Sequence, residues 1–251
     1  TTPSLLDRGT STLLGTELVG EIDGKNYVNA SSISYGASGL AGVWAEENTR
    51  ESIYSALRRK ETFATSGPRI KVRFFAGYEF DFEMINKQDL VKHLYENGHT
   101  MGSEILNTEK KGEPTFFLWA LQDADSAPLQ RLQIIKGYIE DGELKEHVFD
   151  VMCSDGLEVN QDTSRCPDNG AIVNLNDCSF DTSTGASELK TFWEDPTYVE
   201  GQRTFYYLRV IENPTCRWST WDAIRNNVEP RSDYPLTIQE RAWSSPIHFI
   251  P

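Results

Sequence analysis

Two hydrophobic rhythms divide the chain. Residues 1–39 are rich in Ser, Thr, Gly and Leu, and their pattern predicts a linker or excursion with weak strands at 16–19 and 27–29. Residues 40–45 then form a short apolar run, readable as a buried strand. Asn48 and Glu51 sit three apart and predict a capping-box start to a helix. Ile53, Tyr54, Ala56 and Leu57 recur at helical spacing, and Arg58, Arg59 and Lys60 close that helix at its negative end. Residues 62–65 read as a further strand, stopped by Ser66, Gly67 and Pro68.

From Arg69 the period drops to two. Ile70, Val72 and Phe74 alternate with Lys71 and Arg73, and Phe80, Phe82 and Met84 alternate with Asp81 and Glu83. Residues 115–120, 132–138, 147–151 and 205–211 are predicted strands, and 242–247 predicts a last one with Pro246 at its edge or end. Residues 88–97, stopped by Gly98, predict a short helical insert. The expected organisation is a linker plus strand–helix–strand unit over 1–68, followed by a β-rich domain over 69–251.

Composition narrows the function classes. The chain is 38% hydrophobic and 25% charged, so a packed core is expected. Its net charge of -14 argues against nucleic acid and anionic lipid as partners. No run of about 18 apolar residues is present, so no membrane span is expected. The four cysteines, Cys153, Cys166, Cys178 and Cys216, lie in the second half without a C-x-x-C pair. Cys153 and Cys166 bracket a polar loop whose closure would contribute about 3 kcal/mol. Cys178 and Cys216 would then remain. Four cysteines allow three connectivities, and spacing does not choose among them. Disulfides would imply an oxidising compartment, with a periplasmic or secreted protein as the expectation.

Residues 42–51 (Gly-Val-Trp-Ala-Glu-Glu-Asn-Thr-Arg-Glu), continuing through 56–67, resemble the closing strand and helix of PHP-type metallohydrolases. Other stretches resemble one bacterial family within that group, labelled domain of unknown function 3604. They are 118–123 (Leu-Trp-Ala-Leu-Gln-Asp), 133–137 (Gln-Ile-Ile-Lys-Gly), 150–156 (Asp-Val-Met-Cys-Ser-Asp-Gly), 166–170 (Cys-Pro-Asp-Asn-Gly), 213–220 (Asn-Pro-Thr-Cys-Arg-Trp-Ser-Thr) and 239–246 (Gln-Glu-Arg-Ala-Trp-Ser-Ser-Pro). The resemblance implies an α+β chain: the last strand and helix of a distorted α/β barrel, then a mainly antiparallel β-sandwich-like domain. It also implies a parent hydrolase, a phosphoesterase or related esterase using divalent Mn, Zn or Fe.

The family's His-x-His ligand pairs have no counterpart here, since His93, His99, His147 and His248 stand alone. This chain is therefore expected to be the C-terminal part, inactive alone and holding no metal. Its expected partners are the N-terminal half of the same protein and a small-molecule ester. Candidate pocket residues are Glu46, Glu47, Asn48 and Arg50, at the start of a helix that follows a strand, and Arg217 with Trp218. Capping, surface ion pairing and aromatic packing are the competing roles for these six. The oxygen-rich loop from Asp155 to Asp162, with Asp168 and Asn169, could suit calcium or be a solvated loop pinned by a disulfide. The other functional class is a secreted β-sandwich module that recognises carbohydrate or protein through Arg217, Trp218 and Trp221.

Overall fold

The computed structural model of the chain describes residues 19–28, 33, 36, 38–106 and 112–251. The first element is a hairpin of β1 (Val19–Ile22) and β2 (Lys25–Val28). Asp23 and Gly24 join its strands with φ of 51° and 78°. Two positive φ values in succession match the right-handed twist of the flanking strands, and Asp-Gly is a pair that tolerates them. Of the strand expected over 16–19, residues 16–18 lie outside the described residues.

The strand–helix–strand pattern is present as β3 (Leu40–Val43), α1 (Arg50–Arg58) and β4 (Thr62–Thr65). Its cap differs from expectation by one residue. Thr49, not Asn48, has the extended cap conformation, and its side chain accepts from the Ser52 amide. Strands β3 and β4 are antiparallel neighbours, and β4 pairs in turn with β13 (Thr237–Ser244). The unit is thus hydrogen-bonded into the same sheet as the chain's last strands.

The predicted β region yields β5 (Lys71–Gly77), β6 (Gly98–Thr100), β7 (Glu104–Leu106), β8 (Thr115–Leu121), β9 (Leu129–Glu140) and β10 (Glu143–Cys153). It continues with β11 (Glu188–Glu194), β12 (Thr204–Cys216) and, after β13, β14 (Ile247–Ile250). Helix α2 (Leu90–Asn97) ends at Gly98 as expected, and α3 (Trp218–Arg225) follows β12. Two strand expectations change. The last strand expected over 242–247 is split at Ser245 and Pro246 into the end of β13 and the start of β14. Phe82–Asn86 is a 3-10 helix, not an alternating strand, and the Asp81 side chain caps it by accepting from the Glu83 amide. Phe80, Met84 and Ile85 turn inward there and pack with Leu90 and Leu94 of α2 on Phe75 and Phe117. Tertiary burial on that side of β5 and β8 overrides the period-two signal.

Two mostly antiparallel sheets face each other. The larger runs β10-β9-β12-β13-β4-β3, with β14 also pairing β12 and, in parallel, β7. The smaller runs β11-β8-β5-β6. The main core fills the space between them. Phe74, Phe116 and Leu118 from the small sheet meet Leu132, Ile134, Tyr206, Leu208 and Phe249 from the large one. A charged group lies within this packing. Buried Lys136 donates from Nζ to Asp195 Oδ2 at 2.6 Å and to the Thr197 carbonyl at 2.7 Å, and the Tyr206 hydroxyl donates to the same Asp195 oxygen at 2.7 Å.

Both disulfides form, Cys153–Cys166 and Cys178–Cys216. No helix among the described residues is long and apolar enough to cross a membrane.

Candidate functional site

Strand register determines which side chains share the outer face of the large sheet. Directly opposed residues project to the same side. Asp150 opposes Gln133, Gln133 opposes Arg209, Arg209 opposes Trp243, and Trp243 opposes Ala64. In the next row Arg131 opposes Ile211 and Ile211 opposes Arg241. Their sequence neighbours Leu132, Ile134, Leu208, Val210 and Ala242 are in the core. Period two therefore turns Arg131, Gln133, Arg209, Arg241 and Trp243 away from it.

A chain of hydrogen bonds orders this face. Arg209 Nε donates to Gln133 Oε1 at 2.6 Å, and Gln133 Nε2 donates to Asp150 Oδ1 at 2.5 Å. The Cys166 amide donates to Asp150 Oδ2 at 2.7 Å, and Arg131 Nε lies 3.6 Å from that oxygen. Arg165 reaches over from the loop closed by Cys153–Cys166, its Nη1 4.0 Å from Asp150 Oδ1 and donating to the Val148 carbonyl. Arg241 Nε donates to the Gln239 carbonyl at 3.2 Å. The terminal nitrogens of Arg209 and Arg241 have no hydrogen bond or ion pair among the described residues.

Two guanidinium groups, Arg131 and Arg165, thus lie within 4.0 Å of the buried Asp150 carboxylate, and Arg209 is joined to it through Gln133. Burial draws the Arg131 guanidinium below its usual pKa. Asp150 opposes that change, while Arg209, Arg165 and Arg241 add to it by repulsion. Four arginines gather here beside Asp150, with Glu240 next to Arg241, on a chain whose net charge is -14. Planar forks held by a glutamine and a pinned loop are suited to phosphate, sulfate or carboxylate oxygens.

The Cys153–Cys166 bridge positions two parts of this face, the Cys166 amide and Arg165. Replacing both cysteines by Ala is expected to lower stability by about 3 kcal/mol. It should also weaken anion binding at the arginines. Urea unfolding and a phosphate titration check the two effects, and unchanged phosphate affinity would detach the loop from the site.

The residues singled out by sequence lie elsewhere. Glu46 accepts from the Ser52 hydroxyl at 3.0 Å and pairs with Arg59 at 3.0 Å, and the Glu47 amide donates to Ser52 Oγ. Hydrogen bonds from its own backbone amide and from Ser52 hold the exposed Glu46 carboxyl below its ordinary pKa. Glu47, Asn48 and Arg50 are exposed beside it at the α1 start. Arg217 donates from Nη2 to the Ile33 carbonyl at 2.8 Å and lies 5.9 Å from the Tyr234 ring. Trp218 is buried in a satellite core with Val28 and Ala223, so its ring packs instead of lining a cleft.

Several oxygens of the oxygen-rich loop accept backbone hydrogen bonds. Asp155 accepts from the Gly185 amide, Asn160 from the amides of Asp162 and Thr163, and Asp168 from the Gly170 amide. Asn169 ties the loop to Asn213 at 2.9 Å. His147 stacks on Phe149, and His248 lies beside Phe205. Among the described residues no three His, Cys, Asp or Glu side chains gather as a metal site would require.

Sequence periodicity missed the arginine face because each arginine looks like an ordinary solvent-side residue of its own strand. The available signal was the alternation itself, Arg131-x-Gln133 and Arg209-x-Ile211, set beside Gln239-x-Arg241. Four of the stretches that carry the resemblance (133–137, 150–156, 166–170 and 239–246) meet on this face. No curated protein and no solved structure matches the chain. A family model described as protein of unknown function (DUF3604) matches residues 12–251, and the chain belongs to that family.

Proposed function

We propose that this chain is the substrate-gripping β part of a hydrolase acting on phosphoesters or related anionic esters. In this reading the metal-dependent chemistry sits on the N-terminal half of the same protein, and residues 1–251 alone have no turnover. The observation that carries the reading is the face bearing Arg131, Arg165, Arg209 and Arg241 together with Asp150. Arg209, oriented through Gln133, presents its terminal nitrogens to an anionic oxygen, and Arg241 approaches the same region from the neighbouring strand. These groups hold and orient an ester and neutralise its charge. The likeness of residues 42–67 to PHP-type enzymes supplies the hydrolytic part of the reading. Two disulfides support an oxidising compartment, periplasmic or extracellular.

The test is ester hydrolysis by the protein expressed from its complete reading frame. R209Q and R241Q together are expected to raise KM for a phosphate monoester by about tenfold or more, with little change in kcat, because each charge-assisted hydrogen bond contributes about 1.5–3 kcal/mol. Unchanged KM would remove the arginines from the substrate site. Absence of any hydrolysis across phosphate and sulfate esters would remove the enzyme reading.

A further inference from the structure

The outer face of the large sheet changes character along β12. Arg209 marks its cationic region, and Tyr207 and Phe205 follow on the same side at period two. Phe205 covers Gly137, where an added Cβ would come within 2.1 Å of the ring, so the absence of a side chain leaves room for the aromatic over β9. Beyond Phe205 opens a cavity of about 480 Å³, bounded by Ile139, Leu144, Arg203, His248 and Ile250 as well as Phe205, with Glu104, paired to Lys60, at its wall. Leu144 and Ile139 are 72% and 43% exposed, more apolar surface than an isolated β-strand position usually leaves to water. The volume falls in the range of small-molecule sites. From Phe205 to Arg209 the strand advances by roughly 13 Å.

We propose that this cavity receives the alkyl or aryl portion of a ligand whose anionic group sits among Arg131, Arg209 and Arg241, so that the ligand class is an amphiphilic phosphate or sulfate monoester. The inference rests on the anion-gripping reading above and adds the identity of the ester's other end. The arginine face alone would take any small oxyanion. A mainly apolar cavity on the same strands and the same side of the sheet selects for a hydrocarbon group about 13 Å from the charge.

The experiment is calorimetric titration of the chain with inorganic phosphate, decyl phosphate and decyl glucoside, the last two below their micellar concentrations. An extended decyl chain spans the distance between the two regions. Decyl phosphate is expected to bind at least about tenfold more tightly than inorganic phosphate, since several methylenes leave water. Leu144→Gln with Ile139→Gln, both at exposed positions, should reduce decyl phosphate to the affinity of inorganic phosphate and leave inorganic phosphate unchanged. Arg209→Gln with Arg241→Gln should weaken both phosphates, and decyl glucoside should bind at least about tenfold more weakly than decyl phosphate. Equal affinity for the two phosphates in the unaltered chain would overturn the proposal and leave the anion-gripping reading standing. Phosphate binding indifferent to the arginine variant would overturn both. Pelleting with phosphatidylglycerol vesicles separates the sources. Co-sedimentation that depends on Leu144 and Arg209 identifies a lipid amphiphile, and decyl phosphate binding without co-sedimentation identifies a soluble one.

Discussion

Lys136→Met is expected to cost about 3–5 kcal/mol of folding stability, the range for breaking one partner out of a buried ion pair. The ammonium and the Asp195 carboxylate are both buried between the sheets, 2.6 Å apart. Burial pushes the Asp195 carboxyl up, but Lys136, Tyr206 and Thr197 more than offset it and hold it below its ordinary 3.8. Its contribution is therefore present above that ordinary value and lost as pH falls through the lowered one. Methionine replaces the stem of the lysine and leaves the carboxylate charge uncompensated. Adding Asp195→Asn to Lys136→Met should restore most of the loss, because the amide oxygen still accepts from Tyr206 without carrying a charge. Urea unfolding near neutral pH measures both variants. A loss under about 1 kcal/mol for Lys136→Met would show that the pair is not held in this geometry.

Glu212→Gln is expected to act in the opposite direction and only at higher pH. Glu212 is fully buried on β12, with Oε2 accepting from the Ser126 hydroxyl at 2.7 Å and Oε1 without a partner among the described residues. Burial pushes its carboxyl up to about 8, against the Ser126 hydrogen bond, and the negative charges of Glu240 and Asp123 add to the rise. Between the ordinary 4.5 and that raised value the folded state binds a proton that the unfolded state has released. Stability is then greatest below the lower value and falls as pH rises through the window. The neutral glutamine has nothing to ionise. Above pH ~8 the variant should exceed the unaltered chain by on the order of 4 kcal/mol, and near pH ~5 the two should converge. Thermal unfolding at those two pH values checks this. Parallel stability curves would mean that Glu212 ionises at its ordinary value.

The elements that follow a single period are those the sequence reveals. β8, β9, β12 and α2 lie where alternation or helical spacing places them, because each buries one face against a partner sheet or strand pair. The 3-10 helix at Phe82–Asn86 breaks that rule because Asp81 caps it and its Met84 and Ile85, with Phe80 before it, pack on the Phe75 and Phe117 cluster. The Asp23-Gly24 and Asp141-Gly142 pairs fix the β1–β2 and β9–β10 hairpins through positive φ, a local signal that hydrophobic periodicity does not register. Lys136 within Gln-Ile-Ile-Lys-Gly is legible as part of a motif. Its role depends on Asp195, 59 residues away, which no local pattern connects to it.

The candidate site is less legible for the same reason. Glu46, Glu47 and Asn48 form a visible local cluster at a helix start, yet Glu46 is occupied by Ser52 and Arg59. Arg131, Arg165, Arg209 and Arg241 span more than a hundred residues, and only the register of β9, β12 and β13, with the Cys153–Cys166 loop, brings them together. A disulfide pairing and a strand register are three-dimensional facts. Charge counting along the chain averages them into a net value of -14.

The most direct test is a sulfate titration of the isotopically labelled chain followed by amide and guanidinium NMR. The account predicts saturable shifts at Arg131, Gln133, Asp150, Cys166, Arg209 and Arg241, weakening as chloride is added. Shifts confined to residues 46–50 or to Arg217 and Trp218, with the sheet face silent, would contradict it.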